Sequence, residues 1–454
     1  MPADLDAIFK AYDVRGTVPD QLDADVARRI GSAAAQVLDG DSIIVGHDMR
    51  PSSPELVAAF AEGVTSQGVD VVHVGLASTD MLYFASGHLD EPGAMFTASH
   101  NPAKYNGVKL CRAGAVPVSI DSGLAQIRDL VAAGDPQPQA QQGSERHADV
   151  LSDYAEHVRS FVDPEVLQEL TVVIDAANGM AGHVVPAVFE GLPFQIVPLY
   201  FELDGTFPNH PADPSDVDNL ADLRAAVREH GADVGFAFDG DADRCFAVDE
   251  HGEPVSPSLL GAVVADRVLD KEPGATILHN LICSKVVPET VSATGGKPMR
   301  TRVGHSFIKA RMAETGAAYG CEHSGHYYFR DNYRADSGLI AALFVLEAMS
   351  AAGEPLSAVV EPYDRYAQSG EVNFEVDDQE DALDRVADAF GARGDTDWAD
   401  GLSVELHDPE DTSWAWFNLR PSNTEPLLRL NVEAPDRAAM ERLRDEVAQL
   451  IRGD

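Results

Sequence analysis

The chain has 454 residues, 44% of them hydrophobic, which is enough for about three or four domains with their own cores and excludes a disordered chain. Acidic residues outnumber Lys and Arg by 75 to 33, a net charge of −42, so nucleic acid and anionic membranes are repelled at long range. No apolar run reaches about 18 residues, the N-terminal Met-Pro-Ala-Asp-Leu-Asp lacks the parts of a secretory signal, and Cys111, Cys245, Cys283 and Cys321 form no CxxC pair; these features predict a cytoplasmic protein with reduced thiols and no membrane span.

Residues 9–16, Phe-Lys-Ala-Tyr-Asp-Val-Arg-Gly, predict a short strand and turn in which Arg15 is by itself a surface charge. A helix is expected over 24–38 and a buried strand over 42–46, followed by a polar loop at 47–53. Ser53 can cap a helix over 54–67, where Leu56, Phe60 and Val64 fall near helical spacing. With a strand at 69–74 this makes the strand–helix–strand unit of a buried sheet. Residues 94–110 begin as a strand, break into Thr97-Ala98-Ser99-His100-Asn101-Pro102 and resume at Val108. Asn-Pro and Asn-Gly mark loops, so Ser99 sits on a loop projected from a strand end. A serine beside His100 and ten residues before Lys109 could be an activated nucleophile. The alternative is a loop in which Ser99 and Asn101 satisfy their own backbone.

A Pro/Gln/Gly stretch at 133–144 marks a boundary. A second unit starts with a helix at 149–162 and has strands at 170–175 and 195–200 around a helix at 184–190. A Pro- and Asp-rich loop at 204–218, a helix at 219–230 and a strand at 234–238 lead into Asp239-Gly240-Asp241-Ala242-Asp243-Arg244, and 246–249 continues the sheet. Extended backbone projects alternate residues to one side, so the three carboxylates can face one cation. Hard oxygen ligands suit Mg²⁺ or Ca²⁺. An EF-hand is excluded: Arg244 stands where that loop needs Gly, and a strand precedes it instead of a helix. A solvated acidic turn is the remaining alternative. Arg244 can hold either a phosphate or its neighbouring carboxylates.

A third unit covers 256–367, with helices at 258–268, 285–293 and 306–315, a strand at 276–278, and Arg302-Val303-Gly304-His305 before the third helix. In Glu322-His323-Ser324-Gly325-His326 a carboxylate, a hydroxyl and an imidazole alternate along an extended loop. The first two can read sugar hydroxyls, and His326 can titrate near neutral pH; hydrogen bonds within a surface loop are the alternative. A long helix is expected at 337–350. Residues 369–454 change style, with strands at 370–376, 401–406, 413–419 and 427–432 and a helix at 438–451. Within them Arg420-Pro421-Ser422-Asn423-Thr424-Glu425-Pro426 offers guanidinium, hydroxyl and amide donors, which suits a phosphate dianion. A capping box from Ser422 to Glu425 fails, because Leu428 to Glu433 alternates with the period of a strand. The expected division is 1–148, 149–255, 256–368 and 369–454.

The four loops at 97–102, 239–244, 322–326 and 420–426 resemble, in order, the phosphoserine, metal, sugar and phosphate-binding loops of the α-D-phosphohexomutases. The resemblance runs from about Phe9 to the C-terminal helix; one such motif is weak, whereas four in order at domain-scale spacing are specific. It implies three similar α/β domains with mixed sheets and a smaller C-terminal α+β domain around a central cleft. It also implies that phospho-Ser99 exchanges its phosphoryl group with a hexose phosphate through a hexose 1,6-bisphosphate, which also serves as activator. Asp239, Asp241 and Asp243, with a phosphoryl oxygen on Ser99, would hold Mg²⁺. Tyr12 and Arg15 would neighbour the phosphoserine, with Arg244 and Arg302 on the substrate side. Glu322 and Ser324 would take the sugar's 3- and 4-hydroxyls, and Arg420, Ser422, Asn423 and Thr424 the non-reacting phosphate. Lys109, His100, Arg15 and His326 are the candidates for proton transfer, and the sequence does not rank them.

The continuation from His326 to Asp331, with Ala335-Asp336-Ser337-Gly338, looks most like the phosphomannomutase branch. A phosphoglucosamine or phosphoglucose mutase is the nearest alternative. A non-catalytic sugar-phosphate-binding protein is the alternative from another class, and intact Ser99, Asp triplet and phosphate loop argue against it. Four positions depart from the family pattern: His47 and Met49 stand where Arg and Thr are more usual, Cys321 where Gly is, and Pro421 where a small residue is. The acidic composition is similar to that of proteins from salt-accumulating halophiles, where molar salt cuts the Debye length to about 3 Å. It predicts unfolding by self-repulsion in dilute buffer.

Overall fold

The computed structural model describes residues 4–134, 136–407, 414–422 and 427–453. Asn423 and Thr424, expected to bind phosphate, lie outside the described residues. Among those described, no single helix is long and apolar enough to cross a membrane.

The first sheet orders its strands Val14–Thr17, Tyr105–Arg112, Gly93–Phe96, Ser42–His47, Asp70–Leu76 and Glu145–His147. Tyr105–Arg112 runs antiparallel to these two neighbours and to the short seventh strand Val116–Pro117, and the remaining pairs are parallel, so the sheet is mixed. Both faces are covered, which is why Ser42–His47 reads as a continuous apolar run. Alternate residues serve different cores: Ile43 and Val45 pack under the helices Ala24–Val37 and Ser53–Ser66, while Ile44 joins the cluster that runs on into the second and third domains. Those two helices cross at Gly31 and Gly63. A Cβ on Gly31 would lie 2.1 Å from the Phe60 carbonyl oxygen, and one on Gly63 2.0 Å from that of Arg28. Ser53 does not cap its helix. It is the first helical residue, and its Oγ donates to Asp48 Oδ1 at 2.8 Å.

The second sheet runs Pro254–Val255, Cys245–Val248, Val234–Phe238, Leu170–Asp175 and Phe194–Leu199, again mixed. The third runs Lys297–Thr301, Thr276–Asn280, Tyr319–Cys321 and Tyr327–Phe329. Its edge strand Lys297–Thr301 was not expected; Pro298 and mostly exposed side chains hide it, as is usual for an edge. The helix Gly338–Ala352 is apolar on all sides, and it is accordingly buried between the second and third domains. The fourth sheet is antiparallel throughout: Ala367–Phe374, Leu428–Ala434, Trp414–Pro421, Leu402–His407 and Gly394–Asp397. The helices Gln379–Phe390 and Arg437–Arg452 close its core. The fold is therefore three α/β domains with mixed sheets and a smaller α+β domain.

Candidate active site

All four domains line one cleft of about 1830 Å³. Ser99 enters it from the loop after Gly93–Phe96 with φ +48°, a left-handed conformation costly for a residue with a Cβ. Thr97 Oγ1 accepts from the Ser99 amide at 2.9 Å. The Ser99 hydroxyl donates to Asp239 Oδ2 at 2.7 Å, and His100 Nδ1 lies 3.3 Å from it. A Cβ on Gly240 would meet the Ser99 carbonyl oxygen at 2.4 Å, so only glycine lets the two loops approach this closely.

The Asp triplet converges, but not through extended backbone. Val234–Phe238 ends before it, and the chain turns, with Ala242 at φ +60°. One oxygen from each carboxylate lies within 4.8 Å of the others, a group that could hold a metal ion. Lys109 Nζ donates to Asp241 Oδ2 and Asp243 Oδ2, both at 2.8 Å, and Thr79 Oγ1 to Asp241 Oδ2 at 2.6 Å. Arg244 Nε donates to Asp239 Oδ2 at 3.0 Å. The Oδ1 atoms of Asp241 and Asp243 are buried without a donor. Acceptor-only atoms in that state suit a hard divalent cation.

The electrostatics follow from this crowding. Burial, set against Arg244 and reinforced by Asp241 and Asp243, pushes Asp239 up to about 7. Burial opposes the charges of Lys109 and Asp241, but their pairing outweighs it, so the ammonium is held well above its usual range and the Asp241 carboxyl well below. Burial and then Arg244 push His100 down to about 3, so it is neutral in ordinary buffers. His326 differs. Burial works against its charge, yet Asp243 and Asp336 raise it above the usual range. Its Nδ1 is 2.9 Å from Asp336 Oδ2, whose other oxygen is 2.7 Å from Lys309 Nζ.

Arg15 reaches Asn101 Oδ1 at 2.6 Å, which ties it to the Ser99 loop. Tyr12 stands edge-on to His305 at 4.9 Å, and a Cβ on Gly304 would lie 2.7 Å from its hydroxyl. Arg302 is exposed and is not among the residues that line the cleft, its guanidinium lying 4.4 Å over the Phe307 ring. Glu322 is buried and already accepts from Tyr328 Oη (2.7 Å), Gly304 N (2.9 Å) and Asn280 Nδ2 (3.2 Å). Ser324 and Ser422 line the cleft. Arg420 enters from the fourth domain, its Nη2 3.1 Å from Glu371 Oε2. Arg15 Nε, Arg244 Nη2 and Arg420 Nε are buried donors without an acceptor, a set that an anion would fill.

Sequence reasoning missed Arg50, Thr79, Lys309 and Asn280, and gave Asp336 no role. Thr79 lies 162 residues from the Asp241 carboxylate it bonds, so no local pattern announces it.

A buried hydroxyl, a carboxylate group for a cation and unfilled cationic donors around one cleft suit an enzyme of phosphate transfer. Family models described as phosphoglucomutase/phosphomannomutase alpha/beta/alpha domains I, II and III and C-terminal domain match residues 6–137, 152–252, 256–366 and 371–450. The chain belongs to the phosphoglucomutase/phosphomannomutase family and is thereby an intramolecular phosphotransferase of the isomerase class. It is 42% identical over 449 residues to a protein of Xanthomonas campestris named for phosphohexose mutases, with 98% of this chain and 99% of that one covered. It is 40% identical over 456 residues to a phosphomannomutase of Salmonella montevideo, with 98% of each covered. Among solved structures, a phosphoglucomutase/phosphomannomutase family protein of Burkholderia thailandensis superposes with a TM-score of 0.89 at 33% identity, covering 99% of this chain and 98% of that one.

Proposed function

We propose that the chain is a phosphomannomutase that interconverts mannose 6-phosphate and mannose 1-phosphate and also accepts glucose phosphates. The observation that carries this reading is the Ser99 hydroxyl on Asp239, beside two donorless carboxylate oxygens and the unfilled Arg244 donor. Phospho-Ser99 gives its phosphoryl group to the free hydroxyl of the sugar phosphate. One P–O bond forms as the bond to Ser99 Oγ breaks; His326 takes the proton of the sugar hydroxyl and returns it to the sugar oxygen that is released when Ser99 Oγ takes the second phosphoryl group. The hexose 1,6-bisphosphate then presents its other phosphate and recharges Ser99, and a trace of it activates the enzyme.

Asp239, Asp241 and Asp243 would hold Mg²⁺, which when bound withdraws charge from the phosphoryl group. With Nδ1 on Asp336, His326 keeps Nε2 for the substrate. Neutral His100 orients, while Lys109 and Arg15 supply positive charge. Tyr12 and Arg302 flank the entrance. Glu322 and Ser324 read the 3- and 4-hydroxyls; three donors on Glu322 leave a lone-pair site for one more. Arg420, Ser422, Asn423 and Thr424 hold the non-reacting phosphate. A halophilic, cytoplasmic setting suits the charge of −42, because salt must screen the approach of an anionic substrate.

The test is a mutase assay in molar KCl with Mg²⁺ and a trace of hexose 1,6-bisphosphate. Mannose, glucose and glucosamine 1-phosphates run side by side, with Ser99→Ala as control. Turnover of mannose 1-phosphate that the variant lacks is expected. Turnover confined to glucosamine phosphate would replace the substrate; no turnover by folded, Mg²⁺-loaded protein would point to a binding protein.

A further inference from the structure

We infer that Arg50 is a positioning residue for phosphoryl transfer, its guanidinium holding residues 99–105 so that the Ser99 hydroxyl faces Asp239. This rests on the reading of Ser99 as the group that carries the phosphoryl.

Arg50 lies in the loop after Ser42–His47, and its side chain is completely buried, as is that of Asp48. Every N–H of the guanidinium is used. Nε donates to Asp48 Oδ2 at 3.1 Å. Nη1 donates to the carbonyl oxygens of Pro102 (3.0 Å) and Tyr105 (2.9 Å), and Nη2 to those of Ser99 (2.8 Å) and Asn101 (2.6 Å). Five donors are all that an arginine has, and four of them end on the main chain of a single loop. Asp48 is itself fixed, accepting from Ser53 Oγ at 2.8 Å and the Arg50 amide at 3.0 Å.

That loop needs an external brace. Ser99 sits in the left-handed region, and such a conformation persists only where its surroundings over-determine it. Nη2 grips the carbonyl of Ser99 itself, the same oxygen that Gly240 approaches from the second domain. The second domain also closes over Arg50. The Phe207 ring centre is 5.1 Å from its guanidinium carbon, and a Cβ on Gly205 would lie 2.5 Å from its Cα. With its side chain fully buried and all five N–H donors taken by protein oxygens, Arg50 has none left for substrate. A lysine offers three donors from one point and cannot span four carbonyls set around a planar fork.

The test compares phosphorylated, Mg²⁺-loaded wild type with Arg50→Lys and the isosteric Asp48→Asn. Folding is verified by circular dichroism. For Arg50→Lys, kcat on mannose 1-phosphate should fall about 100-fold, with KM within about twofold, because displacing the reacting group by about 1 Å costs on that order. For Asp48→Asn a fall of about tenfold is expected, again in kcat. Amide hydrogen exchange over 99–105 should quicken at least tenfold in both. A role in stability alone would leave kcat of the folded fraction unchanged. Wild-type kcat in a folded variant, parallel changes in kcat and KM, or unaltered exchange over 99–105 would each overturn the inference. Should Arg50→Lys not fold, Asp48→Asn decides. Should the wild type turn over no sugar phosphate, the mutase reading fails, and the exchange measurement still decides whether Arg50 braces the loop.

Discussion

The first three domains and the fourth are held by different forces. A single apolar cluster runs through Met81 and Leu82 of the first domain, Val172 and Phe236 of the second, and Leu339 to Met349 of the third. The fourth domain keeps a separate core around Phe390, Phe417 and Val447. It meets the third mainly through polar contacts, Lys285 N to Glu433 Oε1 at 3.0 Å, Lys285 Nζ to Glu405 Oε1 at 2.9 Å and Val303 N to Asp400 Oδ2 at 2.9 Å, beside one aromatic contact, Tyr366 edge-on to Trp414 at 4.6 Å. Water can replace polar contacts at small net cost, whereas it cannot replace apolar burial. The difference separates two tasks. Ser99, the Asp triplet and His326 are set within a shared body, while Arg420 is carried on a part with its own core.

The largest expected effect comes from cutting either core. Leu343→Ala, at a fully buried site in the shared cluster, should destabilise the body by roughly 2–5 kcal/mol. Phe417→Ala should destabilise the fourth domain by a similar amount, about 3–5 kcal/mol. Calorimetry should show each variant lowering a different transition. One common transition that moves in both would mean that the two parts are a single folding unit.

A second effect, up to about 3 kcal/mol, concerns the polar centre of the body. Asp80 of the first domain accepts from Tyr154 Oη of the second at 2.6 Å and Ser337 Oγ of the third at 2.7 Å. Burial pushes its carboxyl up to about 6. A carboxyl raised on folding favours the folded state most while it is protonated. Its contribution is therefore full below about pH 4 and falls away up to about pH 6. Asp80→Asn has no such slope. Across that window the body of the variant should gain on wild type as pH rises, and a gap constant with pH would show that Asp80 does not hold its proton on folding.

What the sequence made legible was local. The Ser99 loop and the Asp triplet stand out because their polar residues are adjacent in the chain. The expected reason for the triplet's convergence was wrong, since Ala242 turns the backbone where extended chain was anticipated. Helix Thr79–Leu89 went unseen because Thr79 through Ser86 are all buried, which erases the two-faced pattern a surface helix shows. Arg50 was passed over as one loop residue among several, because the carbonyls it binds lie 49 to 55 residues further on. The Val303–Asp400 contact between the third and fourth domains leaves no mark in the sequence, because Val303 contributes only its amide.

The smallest effect tests that seam directly. Asp400 Oδ2 accepts from Val303 N, and the next residue, Gly304, donates to Glu322 Oε1 and abuts the Tyr12 hydroxyl. The fourth domain is thus fastened to a loop that also touches Glu322 and Tyr12. A half-exposed carboxylate on a backbone N–H contributes about 1 kcal/mol after solvent screening, so Asp400→Ala should loosen the domain without unfolding it. Arg420 would then have to be recruited at substrate binding, and KM for mannose 1-phosphate should rise about 3- to 10-fold. In the proposed reaction the reacting groups belong to the body, so kcat should stay within about twofold. A fall in kcat at unchanged KM would break the division of tasks, since it would mean that the fourth domain shapes the reacting geometry and not only the capture of the distant phosphate.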